Sequence, residues 1–481
     1  MMSVGKDALK EFWASHVSKV GVALLILLVV VSIYVVLTYP LDFGLRYWNN
    51  PAYWADNPKA VPPEWWNLLI DRQLPPHIIK DFQEPSEVKT QRGRKILEYV
   101  YSFDFQYDDF PSFLSMSLNN VTFSSRRPPR VEIFLDRPDN ISVRLLRFTV
   151  TGPRPGEEAP YVRYIEAPNR VIITGDKNTF SALSAMLKRY YGLSVKPSEV
   201  GEIGAEKVAF GKPSDGGFEV LRGIYRLRAV ITGYDEDVDV GRLRMVVGGQ
   251  VYGLSGTDTL GRDLAVGLLF GFPIALLIGF LTSTVTTIIG AITGVISGYM
   301  GGRVDTGIQR LSDIILNIPL LPILIFFTFI LGTQIPRLWV IIAILIAFSW
   351  PSLTIVVRPM VLQIRESQFV EAAVAIGAPR LWIMFRHIFP QVAPFVFAQL
   401  IFFTPSAILA EAALSFLGLG DPSMPTWGQI LETGFRSGGV YIGYWWWVLP
   451  PGLLIVFAAI TFVLIALGLE PVVNPRLRRM K

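Results

Sequence analysis

Val20-Gly-Val-Ala-Leu-Leu-Ile-Leu-Leu-Val-Val-Val-Ser-Ile-Tyr-Val-Val-Leu37 is the stretch that sets the class of this chain. Its only ionisable side chain is Tyr34, and Lys6, Lys10 and Lys19 precede it. About 18 residues rising about 1.5 Å each nearly cross a hydrocarbon core of about 30 Å. A cleaved signal peptide has a shorter apolar region, followed by small residues at the cleavage site. This run ends in Leu37-Thr-Tyr-Pro40, so an uncleaved helix with a cytoplasmic N-terminus is expected.

Outward from that run the chain changes character twice. From about Leu41 to Ser255, acids, bases, Pro and Gly are frequent, and no apolar run is long enough to span. Short β-like runs recur there: Val131–Leu135, Ile141–Val150, Val171–Thr174, Tyr225–Thr232 and Leu243–Val247. Thr179 to Tyr190 has helical spacing, with Phe180, Leu183, Met186, Leu187 and Tyr190 on one face and Gly192 as a stop. These are the marks of a folded α+β domain large enough for a core. Trp48, Trp54, Trp65 and Trp66 lie early in it among prolines, readable as a binding or membrane-surface patch or as core anchors.

The apolar character then resumes and breaks into Leu264–Ile296, Ile314–Leu331, Leu338–Val357, Val392–Leu417 and Trp445–Leu467. The longest of these must tilt, kink or extend beyond lipid, and Pro273, Pro319, Pro322, Pro394 and Pro405 are candidate kink sites. The expected fold class is a polytopic α-helical membrane protein of six transmembrane helices, with a large extracytoplasmic α+β insert between helices 1 and 2. The expected parts are 1–40, 41–255 and 256–481.

Composition agrees. Of 481 residues, 51% are hydrophobic and only 17% charged, against about 25% in soluble domains. With no cysteine, disulfides, thiolate metal sites and thiol catalysis are excluded. His16, His77 and His387 are too far apart in sequence to suggest a metal site. The net charge of +5 sits largely at the edges of the apolar runs and is no sign of nucleic-acid binding. With the N-terminus inside, inner segments carry Lys6, Lys10, Lys19, Arg303, Arg310, Arg358, Arg365, Arg380, Arg386, Arg476, Arg478, Arg479 and Lys481. Short outer loops carry only Arg337 and Arg436. That asymmetry places both termini in the cytoplasm of a multi-pass cell-membrane protein, and residues 41–255 outside.

The segment between the fourth and fifth runs carries the chemistry of interest. It reads Arg365-Glu-Ser-Gln-Phe-Val-Glu371-Ala372-Ala373-Val-Ala-Ile-Gly377-Ala-Pro-Arg380, then Leu-Trp-Ile-Met-Phe-Arg-His387-Ile-Phe-Pro390. Phe369–Ile376 reads as a short helix, Gly377 as a turn and Pro379–Ile388 as a second helix, with Pro390 restarting the next span. Two short helices held between spans can move with them as one body, which suits force transfer from a soluble partner. A plain interfacial connector is the alternative.

This segment resembles the Glu-Ala-Ala loop of permease subunits of binding-protein-dependent ABC importers. Glu371, Ala372, Ala373, Gly377 and Pro390 match the pattern. His387 and Phe389 depart from the general ending and are similar to the dipeptide, oligopeptide and nickel permease branch. Gly256-Thr-Asp258-Thr-Leu-Gly261-Arg262-Asp263 resembles the entry to the second span of that branch's C-type subunit. Glu411-Ala-Ala-Leu-Ser415-Phe-Leu-Gly418-Leu-Gly420, followed by Pro425-Thr-Trp427-Gly428, resembles its fifth span and outer loop. The resemblance covers about 255–475 and the first helix, and leaves the polar insert uncovered.

The resemblance implies a type I importer permease fold, paired with a homologous second permease, two ATPase subunits, an extracytoplasmic binding protein and the lipid bilayer. Glu371, Ala372, Ala373, Gly377, Arg380, His387 and Pro390 would couple to an ATPase subunit. Glu411 and Ser415 are candidates for gating or the transport path, or for a structural pair; Asp258, Gly261, Arg262 and Asp263 would pin the entry to helix 2. Peptides are the implied substrate, with oligosaccharides or nickel as alternatives. Gly5-Lys6 and Gly211-Lys212 lack the rest of a phosphate-cradling loop, so no cofactor is expected in this chain and ATP-Mg would sit on partner subunits. Two readings from other classes compete: a membrane-anchored receptor, and an intramembrane protease around Ser255, which lacks a histidine in any expected span.

Overall fold

The computed structural model describes residues 12–473 except 41, 92 and 333, and for 470–473 the backbone alone. Lys6, Lys10, Arg476, Arg478, Arg479 and Lys481 lie outside the described residues. The chain divides into two compact units: Pro51–Leu264, and the residues before and after it.

Helix α1, His16–Thr38, ends where Tyr39 turns extended ahead of Pro40, the conformation that a following proline favours. Ile26, Val29, Val30 and Ile33 are exposed along it while Leu28 and Val35 are buried, the mark of a helix solvated by lipid on one side. Its inner side approaches the end of the chain closely. A Cβ on Gly21 would meet Ile465 at 2.9 Å.

The unit Pro51–Leu264 is built on antiparallel strands: β1 Ile78–Phe82, β2 Glu87–Gln91, β3 Arg94–Phe105, β4 Leu114–Phe123, β5 Arg130–Asp136, β6 Ser142–Thr149, β7 Tyr161–Arg163, β8 Asn169–Ile172, β9 Gly211–Ser214, β10 Gly217–Val220, β11 Gly223–Thr232 and β12 Asp239–Val247. One sheet runs β1-β12-β4-β7 with β8 also on β4; a second runs β2-β3-β11-β5-β6; β9 and β10 form a hairpin. Alternate side chains of both sheets enter one core. Leu118 opposes Leu243 and Met116 opposes Met245 in the first, and Tyr99 opposes Ala229 in the second, all of them buried. Helix α2, Lys177–Tyr191, covers that core through Leu183, Met186 and Leu187, starts under an Asp176 cap and stops at Gly192 with φ +70°. The β-like runs read from sequence fall in β5, β6, β11, β12 and, for the first half of Val171–Thr174, β8. Trp48 and Trp54 are buried, whereas Trp65 is exposed and donates its indole N–H to the Leu254 carbonyl at 2.9 Å.

In the other unit, α3 spans Leu264–Met300, α4 Gly302–Asn317, α5 Leu320–Leu331, α6 Arg337–Arg365, α7 Gln368–Ala375, α8 Arg380–Phe416, α9 Trp427–Arg436 and α10 Trp445–Val473. Five helices, α1, α3, α6, α8 and α10, are each long and apolar enough to cross a membrane. The pair α4 and α5, bent by 82°, makes a sixth crossing if it is one broken span. The bend falls at Pro319, one of the candidate kink sites within the run Ile314–Leu331. Pro319 cannot continue α4, and Ile318 before it is extended.

A stripe of glycines holds α3 to α6. A Cβ on Gly290, Gly294 or Gly298 would meet the Cβ of Leu353, Val357 or Val361 at 2.7–2.8 Å. Without side chains there, the two backbones approach closely enough for dispersion to bind them where lipid offers no hydrophobic drive.

Candidate functional site

The loop between α6 and α8 folds as a compact hook. After α7, Gly377 takes φ +79°, its N–H bonding the Val374 carbonyl at 2.9 Å while Ala378 N–H bonds the Ala373 carbonyl at 3.1 Å. This paired pattern is a Schellman cap, which requires a left-handed residue, and Pro379 then prevents the helix from resuming. The next helix differs from expectation. Arg380–Ile383 passes through a π-helical turn, Met384–Ile388, directly into Phe389–Phe416. Pro390 therefore does not restart a separate span. It sits at the beginning of the α-helical segment just after the π turn, where a missing amide is tolerated.

One side of the hook is built into the bundle. Val370, Ala373, Ile383, Met384 and Ile388 pack with Ala291, Val295, Val357 and Val361 in a single buried cluster. The other side is apolar and open. Phe369, Val374, Ile376, Leu381, Trp382 and Phe385 are all exposed, Ile376 to 81%. Glu371 is exposed in the first turn of α7, where a carboxylate complements the helix dipole. Glu371 and Arg380 come together with Arg365 around a surface recess of about 470 Å³ that Tyr299, Val370 and Ala375 also line. Ala372 lies on the exposed side of α7 and Ala373 on its buried side. His387 packs edge-on to Trp382, ring centroids 4.7 Å apart, and its buried Nε2 has no hydrogen-bond partner among the described residues.

Beneath the hook lies a pair that sequence reasoning missed. Arg358 of α6 grips Asp305 of α4 in a two-pronged contact of 2.6 and 2.5 Å, and Ser297 of α3 donates to the same carboxylate at 2.6 Å. Three helices are thus tied together at one carboxylate. The four-residue glycine spacing of α3 was the sequence signal available for that close packing.

Glu411 and Ser415 lie far from the hook in sequence and pack against each other. Ser415 donates to Glu411 at 2.6 Å, Thr426 bonds the same carboxylate, and Glu411 is 4% exposed. The surrounding glycines serve close packing. A Cβ on Gly428 would meet the Ala412 carbonyl oxygen at 2.5 Å, and one on Gly420 would crowd Ser415. Trp427 donates its indole N–H to the Leu268 carbonyl at 2.8 Å, fastening α9 to α3.

Asp258, Gly261, Arg262 and Asp263 form a tight loop within the unit Pro51–Leu264. Fully buried Asp258 accepts from the backbone N–H groups of Leu260 and Arg262 at 2.9 Å each and from the Arg262 guanidinium. Gly261 takes φ +80° against the Trp54 and Asn57 carbonyls. Asp263 bridges back to Thr257, and Leu264 N–H bonds the Gly256 carbonyl at 3.1 Å.

Comparison with known proteins places the chain among transport proteins. A family described as binding-protein-dependent transport system inner membrane component matches residues 288–479. The dipeptide transport system permease protein of Bacillus subtilis (strain 168) is 32% identical over 225 residues, 47% of this chain and 69% of that protein. The oligopeptide transport system permease protein of Escherichia coli (strain K12) is 38% identical over 222 residues, 46% of this chain and 72% of that protein. A chain of a methionine ABC transporter solved in inward-facing conformations overlays at a TM-score of 0.35 with 22% identity, over 43% of this chain and 94% of that one, too loose a likeness to carry an argument.

Proposed function

The chain belongs to the binding-protein-dependent transport system inner membrane component family, and from that premise we propose that it is the C-type permease subunit of an ATP-driven peptide importer. It would receive peptides from an extracytoplasmic binding protein and pass them inward with a homologous permease and two ATPase subunits. Nucleotide hydrolysis would belong to those separate subunits, with ATP-Mg bound there.

The observation that carries the reading is the hook at α7. Its inner side is a buried part of the bundle, and its outer side is an exposed apolar surface bordered by Glu371 and Arg380. A partner that seats on the outer side moves α6 and α8 with it, because α8 is one helix from Arg380 onward. Closure of the ATPase subunits would push this hook, rock the spans and expose the path between the permeases to either side in turn. Glu371, Ala372, Ala373, Gly377, Arg380, His387 and Pro390 are the residues assigned to that contact.

We place the termini in the cytoplasm, and the unit Pro51–Leu264 outside, where it would dock the binding protein or the second permease. Glu411 and Ser415 are assigned the structural role of fixing α9 on α8, with Asp258 and Arg262 fixing the entry to α3.

The test is Glu371→Lys in the assembled transporter reconstituted in proteoliposomes. Peptide uptake should fall by about tenfold or more, a coupling loss of about 1.4 kcal/mol, with the complex still purifying intact. Unchanged uptake and unchanged peptide-stimulated ATP hydrolysis would remove the hook from the mechanism.

A further inference from the structure

Helix α4 carries five polar side chains at alternating three- and four-residue spacing: Arg303, Thr306, Arg310, Asp313 and Asn317. That spacing aligns them in one stripe along the helix. All five are exposed, whereas Asp305, Ile308, Gln309, Ser312 and Ile315 are buried or half-buried on the side turned to the bundle. Val304, Leu311 and Ile314, also exposed, form an apolar flank beside the stripe.

The stripe is not confined to the edge of the membrane. Near the start of α4, Asp305 is held by Arg358, at the end of the apolar run of α6. Just past the end of α4, Leu320 packs with Leu345, in the middle of that run. The stretch of α6 between Arg358 and Leu345 is about 20 Å long. Helix α4 climbs through that depth, and Asp313, halfway along, lies about 10 Å inside the level of Arg358.

Arg310 has a stem long enough to carry its charge back toward water, but the short side chain of Asp313 does not. Neither has an ion-pair partner among the described residues. A carboxylate held against hydrocarbon is costly, so acids at this depth face a bundle interior or a water-filled passage. Asp313 points away from its own bundle, which leaves the passage. A dry contact with another subunit would bury both charges, at a desolvation cost that only exact matching offsets.

We propose that this stripe is the wall that the subunit gives to the water-filled path between the two permeases, with Arg310, Asp313 and Asn317 meeting the peptide in transit. The inference rests on the peptide-importer reading and adds to it the residues that touch the cargo. A short peptide presents a carboxylate, an ammonium group and amides. The stripe offers a guanidinium, a carboxylate and a carboxamide to match them. Val304, Leu311 and Ile314 then lie at the lipid-facing border of the path.

The chain contains no cysteine, so one replacement supplies its only thiol. Asn317→Cys and, as a control on the apolar flank, Leu311→Cys are introduced into the complete transporter in proteoliposomes. A small hydrophilic methanethiosulfonate reagent is added with and without a saturating mixture of di-, tri- and pentaalanine during turnover. Labelling is read on this chain alone. The Asn317→Cys thiol should react at least about tenfold faster than the Leu311→Cys thiol, and the peptides should slow it about tenfold. Arg310→Leu with Asp313→Leu should cut uptake about tenfold in a complex that still assembles, whereas a stripe facing lipid would tolerate or gain from that change.

Equal rates at the two positions, or a rate that the peptides leave unchanged, overturn the inference while leaving the importer reading in place. So does full uptake by the double leucine variant. An Asn317→Cys thiol that reacts in the isolated chain but not in the complete transporter makes the stripe a subunit contact instead. Absence of uptake of the peptide mixture by the unaltered transporter would overturn the importer reading, and this inference with it.

Discussion

Gly377 illustrates how much a single backbone conformation decides. Its φ of +79° closes the cap on α7, and a Cβ there would meet nothing within 4 Å. Any penalty for substitution is therefore conformational, about 1–3 kcal/mol for a β-branched residue. Gly377→Val is expected to tilt α7 and lower uptake by about tenfold, whereas Gly377→Asn, which tolerates this region, should keep most of it. Uptake in proteoliposomes separates the two, and equal rates would show that the turn is dispensable. His77 offers a second test, of stability. Burial pushes its imidazole down from 6.5 to about 4, and Gly249 N–H donates to its Nδ1 at 3.3 Å. Between those values the unfolded chain takes up a proton that the folded chain refuses. Stability is full above pH 6.5 and falls as the pH drops toward 4. His77→Asn keeps an acceptor for Gly249 and should flatten that slope, as read by thermal unfolding of the full chain at pH 7 and pH 4.5. A slope identical to that of the unaltered chain would assign the acid sensitivity elsewhere.

Elements in this chain are held by what their small residues leave out. Gly294 lets α3 approach α6 until a Cβ would sit 2.7 Å from that of Val357, whereas Gly307 on α4 has nothing within 4 Å. Gly294→Leu should destabilise the membrane unit by about 1–3 kcal/mol, the ordinary price of overpacking. Gly307→Leu should leave it unchanged or slightly firmer. Thermal unfolding in detergent distinguishes them, and equal effects would contradict the packing account. The long apolar helices were legible because lipid imposes a length and a composition. The strands β3 and β4 were not read, although Leu97, Tyr99, Phe103 and Phe105 are buried at even spacing and Leu114, Met116 and Leu118 alternate with serines. Their signal is a period of two, and a search for continuous apolar runs passes over it. The break at Pro319 and the continuity through Pro390 show the same residue type with opposite outcomes. An extended Ile318 ends α4, whereas a π turn carries α8 onward, and sequence alone does not announce the π turn. At the hook, the Glu371 and Gly377 motif was readable, but the recess uniting Glu371 with Arg365 and Arg380 depends on how α3, α6 and α7 meet.

At the scale of the whole molecule, orientation turns on whether α4 and α5 cross the membrane as one broken span. If they do, the crossings alternate so that Lys19, Arg303, Arg310, Arg358, Arg365, Arg380 and Arg386 lie toward the cytoplasm, with Arg337 and Arg436 outside. That is the distribution membrane insertion favours. If instead the 82° bend makes the pair re-entrant, every segment after α5 changes side, and the hook would face outward with its arginines. No cytoplasmic ATPase could then reach it. The cysteine-free chain lets one experiment decide both points. Ser214→Cys places a thiol on an exposed strand of the unit Pro51–Leu264, and Ile376→Cys places one on the exposed tip of the hook. With a membrane-impermeant maleimide on intact cells, Ser214→Cys should label fully. Ile376→Cys should label only after the membrane is opened. Labelling of both in intact cells would make α4 and α5 re-entrant and overturn the coupling role of the hook. Labelling of neither until permeabilisation would place the unit Pro51–Leu264 inside.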